Sequence, residues 1–155
     1  MPRIAVDAYL AAVVVLRETE RGTETLLMRR RFTPAGTWSQ VAGKLQAGET
    51  AWQAGLRELR EETGLAPISF HSTDTCERYY EPDRDAITVT PVFVAYVEAE
   101  AEPVLNDEHD AHRWCDLDTA IGLVSFGGQR RMFREIQEDF VDNKPAAHHR
   151  IDLPQ

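Results

Sequence analysis

The chain has 155 residues, 43% of them hydrophobic and 28% charged, enough for one folded domain over residues 1–155 that buries a core without disulfides or a structural metal. Its formal charge of −9 argues against a nucleic-acid backbone as the main partner and calls for a cation between the protein and any anionic substrate. The apolar run Leu10–Leu16 is too short to cross a bilayer and lacks the flanks of a cleaved leader, and Cys76 and Cys115 have no metal-type neighbours, so a cytoplasmic protein with core or half-buried thiols and no membrane partner is expected.

In chain order, the β-branched run Ala8–Arg17 reads as a buried strand, and Thr25–Arg30 beyond the polar segment Glu18–Glu24 reads as its hairpin partner. Pro34, Gly36 and Thr37 mark a loop, Trp38–Ala42 is a short extended piece, and GKLQAG (Gly43–Gly48) is a glycine-bounded loop that feeds a helix. That helix is expected over Ala51–Thr63: Thr50 and Gln53 form a capping box, and Gly64 stands where a left-handed residue ends a helix. Ile68–Tyr80 and Ala86–Glu98 read as strands separated by the turn EPDRD, with Pro91 implying an edge position or a bulge in the second. Ala111–Cys115 reads as a last short strand, and Met132, Phe133, Ile136 and Phe140 at helical spacing predict a helix over Gln129–Val141. The tail from about residue 142 is polar and irregular, and is expected to be loosely held or to serve as the arm of a homodimer, with His148 and His149 exposed. Strands on both sides of one early helix, with another helix at the end, predict an α/β fold in which a mixed sheet is covered on both faces.

The first helix breaks a local rule. At about 100° per residue, Trp52, Leu56, Leu59 and Thr63 share one side, and Glu58, Glu61 and Glu62 share the other. Like charges one turn apart repel by a few tenths of a kcal/mol, and carboxylates near the helix C-terminus oppose its dipole at similar cost (about 0.3 kcal/mol or more). A solvated face with ion pairs to Arg57 and Arg60 is one reading of the cluster. The other is a divalent-cation site, since Ala54 and Gly55 read as cleared for a close approach on the same side and oxygen-rich clusters suit Mg²⁺ or Mn²⁺.

The segment Gly43–Leu65, GKLQAGETAWQAGLRELREETGL, resembles the Nudix box, and every specified position matches: Gly43, Glu49, Arg57, Glu58, Leu59, Glu61, Glu62, Gly64 and Leu65. The resemblance implies a Nudix-type α/β/α sandwich that hydrolyses a nucleoside diphosphate linked to another group, a small-molecule phosphoanhydride, with Mg²⁺ or Mn²⁺. It implies Glu58 and Glu62 as principal metal ligands, Glu61 as a further ligand or base, the Gly43 carbonyl as an inner ligand, and Arg57 as the group that holds a glutamate in its working rotamer. Glu49 becomes either a supporting contact or a simple first-turn acid.

Before the box, WSQVAG replaces the commoner tryptophan, two residues, then PGG. That variant and the downstream NDEHDAHRWCDLDTA are similar to a bacterial subgroup that cleaves dihydroneopterin triphosphate and deoxynucleoside triphosphates; there, Glu108 is implied as a metal ligand from outside the box. Release of pyrophosphate from a nucleoside or pterin triphosphate is therefore the leading expectation. Hydrolysis of dinucleoside polyphosphates or nucleotide sugars is the alternative, with a non-catalytic nucleotide sensor as a third reading. Tyr79 and Tyr80 either stack on a base or pack on the sheet. Arg29, Arg30 and Arg31 either meet phosphates or are solvated, and Trp38 and Phe126 either frame a ring or join the core.

Overall fold

A computed structural model describes residues 1–154. The strands are β1 (Ala5–Asp7), β2 (Leu10–Thr19), β3 (Gly22–Arg30), β4 (Trp38–Ser39), β5 (Val41–Lys44), β6 (Ser69–His71), β7 (Cys76–Glu81), β8 (Ala86–Tyr96), β9 (His109–Cys115) and β10 (Arg150–Ile151). The helices are α1 (Ala51–Thr63), α2 (Leu117–Leu123) and α3 (Gly127–Ile136), the last extended by a π-helical stretch over Gln137–Asp142.

The centre of the sheet is β2, which runs parallel to β8 on one side and antiparallel to β3 and β5 on the other. Its residues Ala11–Leu16 are all buried, the continuous apolar run of a strand covered on both faces. Because side chains alternate along a strand, Ala12, Val14 and Leu16 enter one core cluster, with Leu27, Val94, Phe133 and Ile136. Ala11, Val13 and Val15 enter the other, with Leu26, Met28, Leu59 and Phe70. Thus α2 and α3 cover one face and α1 the other, the expected α/β/α sandwich. Among the described residues no helix is long and apolar enough to cross a membrane.

Several local expectations change. The run Ile68–Tyr80 is two strands: β6 pairs with the second half of β8, and β7 with the first half. Pro91 is not on an edge strand, since β8 has partners on both sides; it falls where β1 has ended opposite Thr88 and β2 begins opposite Val92, so its missing N–H forfeits no ladder bond on that side. β1 and α2 are additional, too short to show a period in sequence, although Asp116 caps α2 by accepting from the Thr119 N–H at 2.7 Å. The tail is not loose: β10 pairs with β6, the Ser72 N–H donates to the His149 carbonyl at 2.8 Å, and Ile151 and Leu153 pack on the α1-side core. His149 is half-buried rather than exposed, its ring between the Ser72 hydroxyl at 3.0 Å and Asp74 at 3.2 Å. Cys115 is buried as expected, but Cys76 is exposed.

Helix α1 has the predicted bounds and caps: the Gln53 N–H donates to the Thr50 hydroxyl, the Thr50 N–H to the Gln53 side chain, and Gly64 is left-handed at φ 70°. Its buried face, however, is Ala54, Gly55, Leu59, Glu62 and Thr63, with Trp52 and Leu56 only half-buried. The helix is rolled toward its glutamates. Gly55 explains the roll: a β-carbon there would lie 3.1 Å from Val13 and 3.4 and 3.5 Å from Phe93 and Phe70. The small residues Ala54 and Gly55 let the helix lie close on the sheet, and do not clear a floor for a ligand.

Candidate active site

Rolling α1 onto the sheet sorts its three glutamates into different environments. Glu62 is 2% exposed, Glu58 is half-buried, and Glu61 faces solvent with 52% of its side chain exposed. Glu58 lies against the backbone of Gly43 in β5, where a β-carbon would overlap its carboxyl group. Arg57 ties this end of the helix to the preceding loop. It donates to both oxygens of Glu49 at 3.0 and 2.7 Å, to Glu58 at 2.8 Å, to Glu61 at 3.2 Å and to the Lys44 carbonyl at 2.8 Å. Glu49 in turn accepts the Gln46 N–H at 2.7 Å, so the loop between β5 and α1 is closed around the guanidinium.

The charges respond to these surroundings. The Arg57 guanidinium, then the Gln46 N–H, hold Glu49 below the usual carboxylate range. Burial raises Glu58, with Arg57 opposing. Burial, reinforced by the carboxylates of Glu58 and Glu108, pushes Glu62 up to about 9, while a backbone hydrogen bond from Ala42 opposes. One Glu62 oxygen is buried without any partner. Isolated buried carboxylates are costly and hold their charge only when paired or bound to a cation.

The residues that come together around Glu62 are Glu108 and His109, whose ligand atoms all lie within 4.8 Å of one another. Glu108 was anticipated at this site. Glu58 and Glu61 were anticipated too, but neither is in that group: Glu58 is held by Arg57 against Gly43, and the Glu61 carboxylate is turned outward against Arg57. His109 carried no expected role; the only sequence signal was its place beside Glu108. It is 4% exposed, and burial lowers its pKa, with Glu108 opposing and Arg30 adding to the shift.

The β3–β9 pairing positions this corner. Arg30 stands opposite His109 and the Arg31 N–H donates to the Glu108 carbonyl at 2.9 Å, so the run Arg29–Arg31 borders the acidic group. Arg29 is engaged by Asp110 at 2.7 Å and lies over Trp38. Trp38 is half-buried against the α3-side core, whereas Phe126, the residue before α3, is 53% exposed. Tyr79 and Tyr80 are exposed on β7, and the Tyr80 hydroxyl donates to Asp85 at 2.9 Å. Beside Phe126 runs a buried amide chain: Gln129 donates to Gln40 at 3.2 Å, and Gln40 to Glu77 at 3.3 Å.

A sandwich with a loop, helix and loop carrying this acidic corner defines a class, and the comparisons agree. The NUDIX domain pattern matches residues 8–142, and the chain belongs to that family. It is 30% identical over 146 residues to dihydroneopterin triphosphate diphosphatase from Escherichia coli strain K12, covering 86% of this chain and 91% of that protein. It is 25% identical over 127 residues to the asymmetrical bis(5'-nucleosyl)-tetraphosphatase of Caenorhabditis elegans, covering 81% and 91%. A crystal structure of the C. elegans Ap4A hydrolase superposes with a TM-score of 0.70 at 23% identity, over 83% of this chain and 96% of that one. Similarity to an octanoyltransferase from Myxococcus xanthus, 38% over 117 residues, spans 71% of this chain but only 32% of that longer protein.

Proposed function

We propose that the protein is a metal-dependent hydrolase of phosphoanhydride bonds whose substrate is a nucleoside diphosphate linked to another group, with a nucleoside or pterin triphosphate as the leading candidate and pyrophosphate as the product. The carrying observation is the buried, unpartnered oxygen of Glu62 among Glu58, Glu108 and His109. The carboxylates of that set fit Mg²⁺ or Mn²⁺. Glu58, Glu62 and Glu108 would hold the ion, with the Gly43 carbonyl beside them. The bound ion supplies two things a chain of charge −9 lacks, neutralisation of the phosphates and acidification of a water.

The protein's own groups do the rest. Arg57 holds Glu58 and Glu49 in place, so the carboxylates need not reorganise during the reaction. Glu61, the exposed carboxylate, is the group open to take the proton of the attacking water. Arg30 and Arg31 border the acidic corner where the outer phosphates would lie, Arg29 being engaged by Asp110, and Phe126 is exposed for a ring. The similarity to dihydroneopterin triphosphate diphosphatase across most of both chains supports a triphosphate. A second reading, a dinucleoside polyphosphate, is favoured by the likeness to the C. elegans tetraphosphatase.

Hydrolysis of a panel of both substrate kinds in Mg²⁺ and in Mn²⁺, with the products separated by ion exchange, tests the proposal. Pyrophosphate plus a monophosphate supports the first reading, and a nucleoside triphosphate plus a monophosphate the second. Binding without turnover in either ion would make the protein a sensor and end the hydrolase proposal.

A further inference from the structure

The pairing of β3 with β9 contains an irregularity at the acidic corner. From Thr25 opposite Cys115 to Arg29 opposite Ala111 the register is continuous, but Arg30 then pairs with His109, leaving Asp110 as an extra residue on β9. Directly paired residues share a face of a sheet. Leu26 and Met28 face α1, and they pair with Trp114 and His112. With an unbroken register Asp110 would take that face and His109 the opposite one. The one-residue bulge reverses this, and sets His109 on the face where Glu62 projects from α1.

His109 is 4% exposed, its Nδ1 is buried without a partner, and its ring offers a ligand atom within 4.8 Å of those of Glu62 and Glu108. A histidine that served only to pack the core would ordinarily have both ring nitrogens satisfied. Here His109 and Glu62 each carry an atom without a partner and each offer a ligand atom to the same group, so a divalent ion held there would give both side chains a further bond. Imidazole is a poor match for Mg²⁺, which favours oxygen ligands and its own waters, and a good one for later divalent ions.

We propose that His109 supplies a nitrogen donor to the cation held by Glu62 and Glu108, and that this donor tilts the site toward Mn²⁺ and Co²⁺ and away from Mg²⁺. The inference rests on the metal-dependent reading above and adds to it a ligand and an ion preference. The Asp110 bulge is the structural device that delivers the ring.

The experiment uses the full chain, stripped with chelator, titrated with Mn²⁺ and followed by electron paramagnetic resonance. Pulsed spectra of the bound ion should contain a nitrogen coupling that changes when the protein carries ¹⁵N-labelled histidine. The coupling should vanish in His109→Gln, and the ratio of Mn²⁺ to Mg²⁺ affinity should fall about tenfold or more. The wild-type isotope comparison needs no variant, so misfolding of His109→Gln leaves the first arm decisive, and His109→Asn serves as the second substitution. Bound Mn²⁺ without nitrogen coupling, or with a coupling that survives both substitutions, overturns the role of His109 and leaves the metal-dependent reading standing. Failure of Mn²⁺ to bind at all overturns both.

Discussion

Gly43 and Glu58 touch so closely that the glycine is the only residue the contact admits: a β-carbon at position 43 would overlap the carboxyl group. Since Gly43 belongs to β5 and is paired with Ala11 of the central strand, the backbone cannot retreat without disturbing the sheet, so the carboxyl must move instead. Gly43→Ala is expected to turn Glu58 out of the acidic corner, cutting hydrolysis by about 10²-fold or more and lowering stability by about 1–3 kcal/mol through overpacking. Turnover within a factor of two of wild type, in a variant whose thermal unfolding is unchanged, would show that the contact matters to neither fold nor reaction.

Arg57 is a second point where geometry outweighs charge. Its guanidinium reaches three carboxylates and the Lys44 carbonyl at once, a fork that a lysine ammonium cannot reproduce. Arg57→Lys keeps the charge but frees Glu49 or Glu58. Because the side chains involved are partly solvated, the stability loss should stay near 1 kcal/mol. The expected signature is therefore a split: a melting temperature within a few degrees of wild type and a drop of roughly ten- to a hundred-fold in kcat with little change in KM. An equal effect on both constants would place Arg57 in substrate binding.

Local signals were legible in the sequence and relations between distant segments were not. The capping box of Thr50 and Gln53 and the left-handed Gly64 bound α1 correctly because each acts within one turn of chain. A helical wheel orders side chains around an axis, but it does not say which sector the sheet will take, and the buried sector includes Glu62. His109 depends on a bulge between strands that are remote in sequence, and the docking of β10 on β6 is equally non-local. The Nudix box carried the family because its glutamates and glycines are constrained together over a short span, whereas the hydrogen-bonded chain of Gln129, Gln40 and Glu77 joins residues up to 89 apart in sequence.

Gly55 gives a test of why the wheel failed. On propensity alone Gly55→Ala should stabilise α1 by about 1 kcal/mol. Against this, the new methyl would sit 3.1 Å from a methyl of Val13, and Val13 and Phe70 are both fully buried in a close-packed core. Overpacking of this kind costs about 1–3 kcal/mol, so the net effect should be destabilising by up to about 2 kcal/mol. Chemical denaturation decides the sign. A stabilised variant would mean that the helix can lift from the sheet, and would return Gly55 to the role of clearing space for a ligand.

The strongest pH dependence should come from Glu62. Its ordinary value of 4.5 applies to the unfolded chain, and burial beside Glu58 and Glu108 pushes the folded value up to about 9. Between these values the metal-free folded protein keeps a proton that the unfolded chain has lost, so rising pH favours unfolding. The group's contribution is complete below pH 4.5, declines through neutrality, and is flat again above about 9, where the carboxylate is ionised in both states. In chelator, the melting temperature of the wild type should therefore fall across that window relative to Glu62→Gln, which has no proton to lose there and should be the more stable form at pH 8. Mg²⁺ or Mn²⁺ binding the carboxylate should raise the wild-type melting temperature at pH 8 and leave Glu62→Gln much less affected. Hydrolysis by Glu62→Gln should meanwhile drop by orders of magnitude although its fold is intact. Parallel melting curves for the two proteins across this range, with and without the ion, would show that the buried carboxyl is neither strained nor metal-bound.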